Sequence, residues 1–363
     1  MKVIQVCPLY YPYIGGIEYH VRLLSEHLAE KNVEVEVYTT DPQRRCRSKE
    51  IINHVKVTRL FSFAPQNSYN LAPSLLSLVK KAKADIIHAH NIHSLPILFA
   101  ALAKNTNKIP LVSTFYFHGK AHTPLRNLLF QPYKQLLVEY ILKKTDLLIC
   151  VSEYEKTMIE QNFKTRVKTM VIGAGMRFKP PACFPLKEKN RIKITFVGRL
   201  EEYKGIQYLL YAFNRLVKEI DAQLWIIGEG CYESKLRTIA RQLKISENVT
   251  FSKKKGDEII PEYCTSDVVV IPSRQESFNL VAIEALACGA QVITTPLGEG
   301  YTLVRDGKCI GLSNPADVDE LYKKIKMALK DCDKTNFVKQ EVIKTYSYQR
   351  IAELTLNAYE NIS

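Results

Sequence analysis

Two glutamates eight residues apart, Glu276 and Glu284, are the residues of this chain best placed to do chemistry. Residues 267–271 are strand-like, residues 280–288 are apolar except for Glu284, and residues 291–295 lean apolar again after Gly289. This order predicts a strand, a turn, a short buried helix and a second strand. Glu284 would then be a buried carboxylate, which is costly unless it is hydrogen-bonded. Glu276 would precede the helix N-terminus, where backbone N–H groups attract anions.

The residues alone support two interpretations of this pair equally. In the first, both carboxylates serve a ligand that carries many hydroxyl groups and a phosphate. In the second, Glu284 pairs with an internal Arg or Lys, and Glu276 is a solvated loop residue.

Length and composition limit the class of protein. A chain of 363 residues is long enough for two domains. It contains no apolar run near the ~20 residues of a membrane-spanning helix, and residues 1–11 lack the features of a signal peptide. Nine cysteines without CxxC spacing give no reason to expect zinc. We therefore expect a cytoplasmic protein, soluble or peripheral at the cytoplasmic face of a membrane.

The charge of the chain is unevenly distributed. Residues 1–180 hold 25 Lys and Arg against 13 Asp and Glu, a net charge of +12, and the remainder has a net charge of +2. An excess of this kind favours nucleic acid, an anionic membrane surface or a phosphorylated substrate. Nucleic acid ranks last, because the chain has no nucleic-acid-binding signature.

Strand-length apolar runs alternate with helix-length segments, which is typical of parallel sheets with crossover helices. The rhythm stops at the proline-containing residues 173–191, which we interpret as a connector, and then restarts. Two doubly wound domains with a cleft between them are therefore expected. Amphipathic helical patterns cover residues 317–329 and 348–359 near the end of the chain.

Ligands bind beyond the carboxyl ends of parallel strands, so residues that follow predicted strands are candidates for a site. Paired glycines admit a phosphate close to the backbone, and two cations would neutralise a diphosphate. Taken singly each signal is weak, because plain turns, solvated cations and structural histidines are common. The candidates are Gly15, Gly16 and Glu18 after the first strand, His118 after the strand at 111–114, and Gly198, Arg199 and Lys204 after the strand at 192–197.

In this order the residues resemble glycosyltransferase family 4, retaining enzymes with the GT-B architecture. The family signature of two glutamates separated by seven residues is matched in ESFNLVAIEALACG by Glu276 and Glu284. Gly198, Arg199 and Lys204 match a second family element, and the string DIIHAHN at 85–91 is also similar to the family. The chain departs from the family at Asn279, where glycine is usual, and at Tyr116, where relatives often carry histidine.

The resemblance implies an α/β fold of two Rossmann-like, doubly wound domains that face each other across a cleft. Residues 1–178 would bind the acceptor and residues 179–345 the nucleotide sugar. Residues 346–363 would form a C-terminal helix that crosses back to pack on the N-terminal domain.

The resemblance also implies roles for the site residues. Glu276 and His118 would be catalytic at the donor sugar, and Gly15, Gly16, Arg199 and Lys204 would bind the donor diphosphate. Glu284 would accept hydrogen bonds from the ribose hydroxyls. The other contacts to the donor sugar and nucleotide would come from Glu18, Gly198, Ser277, Phe278, Asn279 and Leu280.

The implied activity is retaining, metal-independent transfer of a hexose from a UDP- or GDP-linked sugar to a glycan or a lipid-linked acceptor. No cofactor is expected beside the donor substrate. The alternatives are a nucleotide-sugar epimerase of the same fold and a non-catalytic protein that binds nucleotide sugars. Residues 124–144 mix leucines, aromatics and cations, which suits either an anionic bilayer or a core helix with a basic outer face.

Overall fold

The computed structural model describes residues 1–13, 15–64, 69–117, 134–180, 191–330 and 335–362. The chain divides into two units. Unit 1 comprises Met1–Gly175 and Tyr348–Ser363, and unit 2 comprises Met176–Ser347. The predicted limits were residues 178 and 345, and the observed limits are 175 and 347. Both the predicted connector and the last helical pattern therefore lie close to a crossing between the units.

Unit 1 contains an eight-stranded sheet in the order β3-β4-β2-β1-β5-β6-β7-β8. The strands are β1 (Lys2–Val6), β2 (Glu34–Thr40), β3 (Lys49–Ile52), β4 (Val55–Leu60), β5 (Ile86–His90), β6 (Leu111–Thr114), β7 (Leu147–Cys150) and β8 (Lys168–Val171). The helices between them are α1 (Gly16–Glu30), α2 (Pro73–Lys80), α3 (Leu95–Asn107), α4 (Glu139–Lys144), which follows a π-helical turn at Lys134–Val138, and α5 (Glu153–Asn162).

One part of this sheet was not predicted from the sequence. Strands β3 and β4 form an antiparallel hairpin at the sheet edge, whereas all other pairs in unit 1 are parallel. Its two-residue turn is Asn53-His54, with φ of 46° and 67°. Two positive φ values are typical of the type I′ turn that matches the twist of a hairpin. The turn lacks the usual glycine, which explains why no hairpin was predicted here.

Unit 2 contains a six-stranded, fully parallel sheet in the order β11-β10-β9-β12-β13-β14. Its strands are β9 (Ile192–Val197), β10 (Ala222–Ile227), β11 (Val249–Ser252), β12 (Val268–Ile271), β13 (Gln291–Thr294) and β14 (Ile310–Gly311). Its helices are α6 (Ile206–Leu216), α7 (Glu233–Gln242), α8 (Ile260–Thr265), α9 (Leu280–Ala287), α10 (Gly300–Arg305), α11 (Val318–Lys330) and α12 (Thr335–Thr345), with 3₁₀ turns at Glu202–Lys204, Ser246–Asn248 and Gly256–Ile259. Two parallel α/β units confirm the predicted fold class.

Each unit has its own apolar core, as parallel sheets covered by helices require. In unit 1 one cluster joins the sheet to α2 and α3, and a second joins it to α1 and the C-terminal residues. In unit 2 a large cluster joins β9, β10 and β12 to α6, α7 and α11. Across the described ranges, no helix is long and apolar enough to span a bilayer.

The last helix, α13 (Tyr348–Glu360), belongs to unit 1 and contacts α1. Its buried Tyr359 hydroxyl lies 2.7 Å from Nδ1 of His88 and accepts a hydrogen bond from Gln5 Nε2 at 3.1 Å. On the other side of the Gln5 amide, Oε1 lies 2.7 Å from Nε2 of His90. A buried network of histidine, glutamine and tyrosine therefore fastens this helix to β1 and β5.

Acid should weaken unit 1 through His20, whose ring centre lies 6.2 Å from that of His90 in this network. Burial lowers the pKa of His20, which lies beside Tyr348, from 6.5 to about 4. Between these values the unfolded chain binds a proton that the native state excludes, so stability falls as the pH falls below about 6.5. From pH 7 to pH 5 the contribution of His20 should drop by about 2 kcal/mol. Urea unfolding at both pH values should show a shallower pH dependence for His20→Gln. An unchanged dependence would contradict this assignment.

Candidate active site

The candidate site of unit 2 is built on loops that leave the carboxyl ends of β9 and β10. Gly198 and Gly228 directly follow these strands, with φ of 151° and 147°, a region that favours glycine. A Cβ atom on Gly228 would lie 1.9 Å from the carbonyl oxygen of Gly198, and one on Gly230 would lie 2.3 Å from that of Leu200. The two loops therefore pack backbone against backbone. From the sequence, Gly228 and Gly230 indicated only a turn.

Lys204 and Glu276 meet in this site. Lys204 Nζ donates a hydrogen bond to Glu276 Oε1 at 2.7 Å, and both side chains are largely buried, with 15% and 13% of their surface exposed. Gly205 makes the approach feasible, because it has φ of 73° and a Cβ atom there would lie 2.1 Å from the carbonyl oxygen of Pro272. The interpretation of Glu276 as a solvated loop residue does not fit this environment.

Lys204 lies just before the first helix of unit 2 and not within it. Lys204 ends a 3₁₀ turn, and α6 starts at Ile206 because Gly205 adopts a left-handed conformation between them. The exposed Arg199 donates through Nη2 to the Tyr203 hydroxyl at 2.6 Å. Lys204 Nζ lies 5.3 Å from the centre of the Tyr203 ring. Tyr203 therefore contacts both predicted phosphate-binding cations.

Glu284 is fully buried in α9 and has internal partners. Arg177 grips it in a fork, with Nε at 2.6 Å from Oε1 and Nη2 at 2.5 Å from Oε2. The Tyr263 hydroxyl donates to Oε2 at 3.2 Å. The structure thus shows the internal ion pair that was one of the two interpretations. The backbone N–H of Arg177 donates a fourth hydrogen bond, to Oε1 at 3.3 Å, so the carboxylate's sites, about four, are occupied and its ribose-binding role stays a prediction.

Asn279 occupies the position where the family usually has glycine, and its geometry explains the exchange. Its φ of 84° and ψ of 57° lie in the left-handed region, which asparagine tolerates better than most residues. Its Oδ1 accepts from the backbone N–H of Ala282 at 3.3 Å, which caps α9, and its Nδ2 donates to Thr294 Oγ1 at 2.9 Å. The turn therefore keeps its glycine-like backbone and gains a buried amide.

Three further predicted site residues, Ser277, Phe278 and Leu280, flank Asn279 at the start of α9. Ser277 is half-buried, Phe278 is buried, and Leu280 is the first residue of α9. Glu299, which the sequence did not single out, donates its backbone N–H to the Phe278 carbonyl at 2.6 Å. Its carboxyl accepts from the Tyr346 hydroxyl at 2.6 Å, and burial raises the pKa of Glu299 to about 7.

In unit 1 the glycine loop leads into α1. Gly15 is extended, with φ of −171°, and Gly16 is the first residue of the helix. The Glu18 carboxyl folds back over this N-terminus, since a Cβ atom on Gly15 would lie 2.1 Å from its Oε2. Burial raises the pKa of Glu18. A phosphate at this helix end would therefore have to displace the Glu18 carboxyl group.

His118 lies outside the described residues, which on its N-terminal side end at Phe117. A buried carboxylate, Glu155 at the start of α5, accepts from the backbone N–H groups of Phe117 at 2.5 Å and Val151 at 2.6 Å. Burial raises the pKa of Glu155 to about 7 despite these donors. Tyr116 is also buried, with its hydroxyl 3.3 Å from His90 Nδ1. Glu155 was not among the candidates singled out from the sequence.

No metal is expected from the sequence. Within the parts of the chain that the structure describes, there is no group of three or more His, Cys, Asp or Glu side chains that could hold one.

Comparison with known proteins agrees with the geometry of both units. The family model "Glycosyltransferase Family 4" matches residues 14–176, and "Glycosyl transferases group 1" matches residues 184–349. The chain belongs to the family 4 glycosyltransferases. It is therefore an enzyme of the glycosyltransferase class.

Relatives and solved structures extend across the chain. An uncharacterised glycosyltransferase of Methanocaldococcus jannaschii is 28% identical over 100% of this chain and 99% of its own. The alpha-monoglucosyldiacylglycerol synthase of Streptococcus pneumoniae is 27% identical over 81% of this chain and 70% of its own. Anabaena HepE in complex with UDP has a TM-score of 0.78 at 18% identity, with 100% of both chains covered. The last likeness shows that this glycosyltransferase has the GT-B fold.

Proposed function

We propose that this glycosyltransferase moves a hexose from a UDP- or GDP-linked sugar to a glycan or a lipid-linked acceptor, with retention of configuration and without a metal. The contact between Lys204 and Glu276 carries the proposal. It joins a cation suited to a diphosphate and a carboxylate suited to sugar hydroxyls, at the strand ends where parallel sheets bind ligands.

The donor diphosphate is assigned to Lys204 and Arg199. In the structure Lys204 is neutralised by Glu276, and Arg199 is held by Tyr203. A diphosphate entering between them attracts both cations, and it releases the Glu276 carboxylate toward the sugar. Donor binding would therefore free the Glu276 carboxylate from its ion pair with Lys204.

The nucleotide is assigned to the end of α9. Arg177 and Tyr263 hold the Glu284 carboxylate in one orientation through four hydrogen bonds, so a ribose hydroxyl would displace one of these donors to reach it. Both contacts also offset the cost of burying its charge. The UDP bound to Anabaena HepE supports a nucleotide diphosphate as the leaving group, while the base remains either uracil or guanine in the proposal.

The reaction is assigned to same-face attack within an ion pair. The bond between C1 of the sugar and the phosphate oxygen breaks, and a bond from C1 to the acceptor oxygen forms on the same face. The departing phosphate takes the proton of the acceptor hydroxyl. Glu276 accepts hydrogen bonds from hydroxyl groups of the donor sugar. His118 donates a hydrogen bond to the sugar while positive charge develops near C1.

The acceptor is proposed from the name of one relative and from the charge of the chain. The name of the Streptococcus pneumoniae relative states a lipid product, and the first 180 residues carry a net charge of +12. A lipid-linked acceptor at an anionic cytoplasmic membrane surface fits both. Residues 124–144 were predicted to form either a membrane contact or a core helix. Residues 124–133 of this segment lie outside the described residues.

Loss of Lys204 tests the donor site. Lys204→Ala removes one charged hydrogen bond, worth ~1.5 to 3 kcal/mol, so calorimetry should show UDP or GDP binding about 10- to 150-fold weaker. Lys326→Ala is the matched control, because Lys326 forms a surface ion pair with Glu219 at the same distance of 2.7 Å in the same unit. If Lys204→Ala binds both nucleotides like the wild type, the diphosphate assignment is wrong.

A further inference from the structure

An exposed apolar surface lies on unit 1 just beyond β4. Phe61 and Phe63 are 53% and 65% exposed, whereas Ser62 between them is buried. The same alternation recurs at Tyr69 and Leu71, which are 51% and 41% exposed on either side of the buried Asn70. Side chains two apart in an extended segment point to the same side, which applies to Phe61 and Phe63. Tyr69 and Asn70 instead have left-handed φ values of 66° and 48°. Each segment therefore presents a pair of large apolar side chains to solvent.

The two pairs form one surface. Phe63 and Leu71 exchange backbone hydrogen bonds at 2.9 Å in both directions, as directly opposed residues of an antiparallel bridge. Opposed residues of such a bridge carry their side chains on the same face. Phe61, Phe63 and Leu71 thus project from one face, and Tyr69 is exposed two residues before Leu71. We call these four residues the aromatic rim.

Cations border the aromatic rim. The Arg44 guanidinium lies 4.4 Å from the centre of the Phe61 ring, and Arg45, Arg47 and Lys49 nearby in the chain are exposed as well. The neighbouring acids are already engaged, since Asp41 accepts from Tyr13 and from the Cys46 backbone, and Glu50 is paired with Arg59. Asp41 keeps its negative charge, since both of its donors are neutral, but the four cations outnumber it. The rim therefore combines exposed apolar side chains with a net excess of positive charge.

We propose that the aromatic rim docks this enzyme on an anionic membrane surface. Aromatic and leucine side chains enter the interface between headgroups and acyl chains, and arginines bind the lipid phosphates. The charge of the rim and of the surrounding 180 residues selects this occupant over a neutral apolar partner. The inference rests on the membrane acceptor of the proposed function and gives that membrane a specific contact, separate from segment 124–144.

Vesicle flotation of the full-length protein tests the docking. The wild type should float with phosphatidylcholine vesicles that contain phosphatidylglycerol and stay behind with phosphatidylcholine alone. Phe61→Ser/Phe63→Ser should reduce the floated fraction at least tenfold, and Arg44→Ala/Arg45→Ala should reduce it most strongly at low salt. Both variants alter exposed side chains. Tyr211→Ser/Met327→Ser is the control, since those side chains are 41% and 48% exposed in unit 2.

Three outcomes would overturn the proposal. The first is equal flotation of the wild type with both vesicle types. The second is flotation of Phe61→Ser/Phe63→Ser to the same extent as the wild type. The third is a Phe61→Ser/Phe63→Ser variant that still floats but no longer self-associates, which would make the rim an interface between copies of the chain. Inorganic phosphate should not compete at millimolar concentration, because a bilayer and not a lone anion is the ligand. Nucleotide binding measured on the same samples reports the donor site separately, so failure here leaves the donor assignment standing.

Discussion

Arg177→Met should lower the free energy of unfolding by about 3 kcal/mol, because it leaves the Glu284 carboxylate buried without its cation. Glu284 has no exposed surface, while 26% of the Arg177 side chain is exposed, so the lower end of the usual 3 to 5 kcal/mol range applies. Urea unfolding followed by circular dichroism measures the change. The methionine keeps most of the apolar contacts of the arginine stem, which isolates the loss of charge.

The double variant Arg177→Met/Glu284→Met provides the control for this prediction. With both charges removed, no buried carboxylate is left unpaired, and stability should return to within about 1 kcal/mol of the wild type. Nucleotide binding by the double variant should be weaker than that of the wild type, since Glu284 is gone. A single variant Arg177→Met as stable as the wild type would show that the ion pair contributes nothing and that Glu284 has another partner.

Glu276→Gln should reduce sugar transfer by about 100- to 1,000-fold, the usual effect of removing one group that stabilises a transition state. Binding of the nucleoside diphosphate should be unchanged or tighter, because Lys204 loses the carboxylate that neutralises it at 2.7 Å. Initial rates with the donor, together with calorimetry on the nucleotide alone, measure the two quantities. A residue with only a structural role would lower both.

Glu202→Gln is the matched control. Glu202 lies in the same 3₁₀ turn as Lys204, but its side chain is 67% exposed and 3.7 Å from Arg274. Transfer by this variant should be close to that of the wild type. If Glu276→Gln kept more than half of the wild-type turnover, the catalytic role of Glu276 would be refuted. Complete absence of turnover in the wild type with every donor would favour the non-catalytic alternative.

Strands with continuous apolar runs were predicted well from the sequence, because burial on both faces leaves a strong pattern. Residues 111–114 and 192–197 were placed with the bounds that the structure shows, and the strand predicted at 267–271 begins one residue later, at Val268. Short or half-exposed elements were missed. Strand β14 has two residues, and α12, which contacts α9, lies in a segment without a clear apolar period.

The site residues divide in the same way. The motif positions Gly198, Lys204 and Glu276 could be found because chemistry restricts their residue types. Arg177 could not, since its pairing with Glu284 spans 107 residues of sequence and it lies in an aperiodic connector. Asn279 shows the converse, because its residue type departs from the family while its backbone keeps the left-handed turn.

Thermal unfolding against a panel of UDP- and GDP-linked hexoses tests the central claim most directly. A ligand that binds the native state must raise the melting temperature. Donors of one nucleotide class should raise the melting temperature of the wild type, and the same donors should raise that of Lys204→Ala much less. If no nucleotide sugar stabilises the wild type, or if Lys204→Ala is stabilised equally, the proposed donor site is wrong.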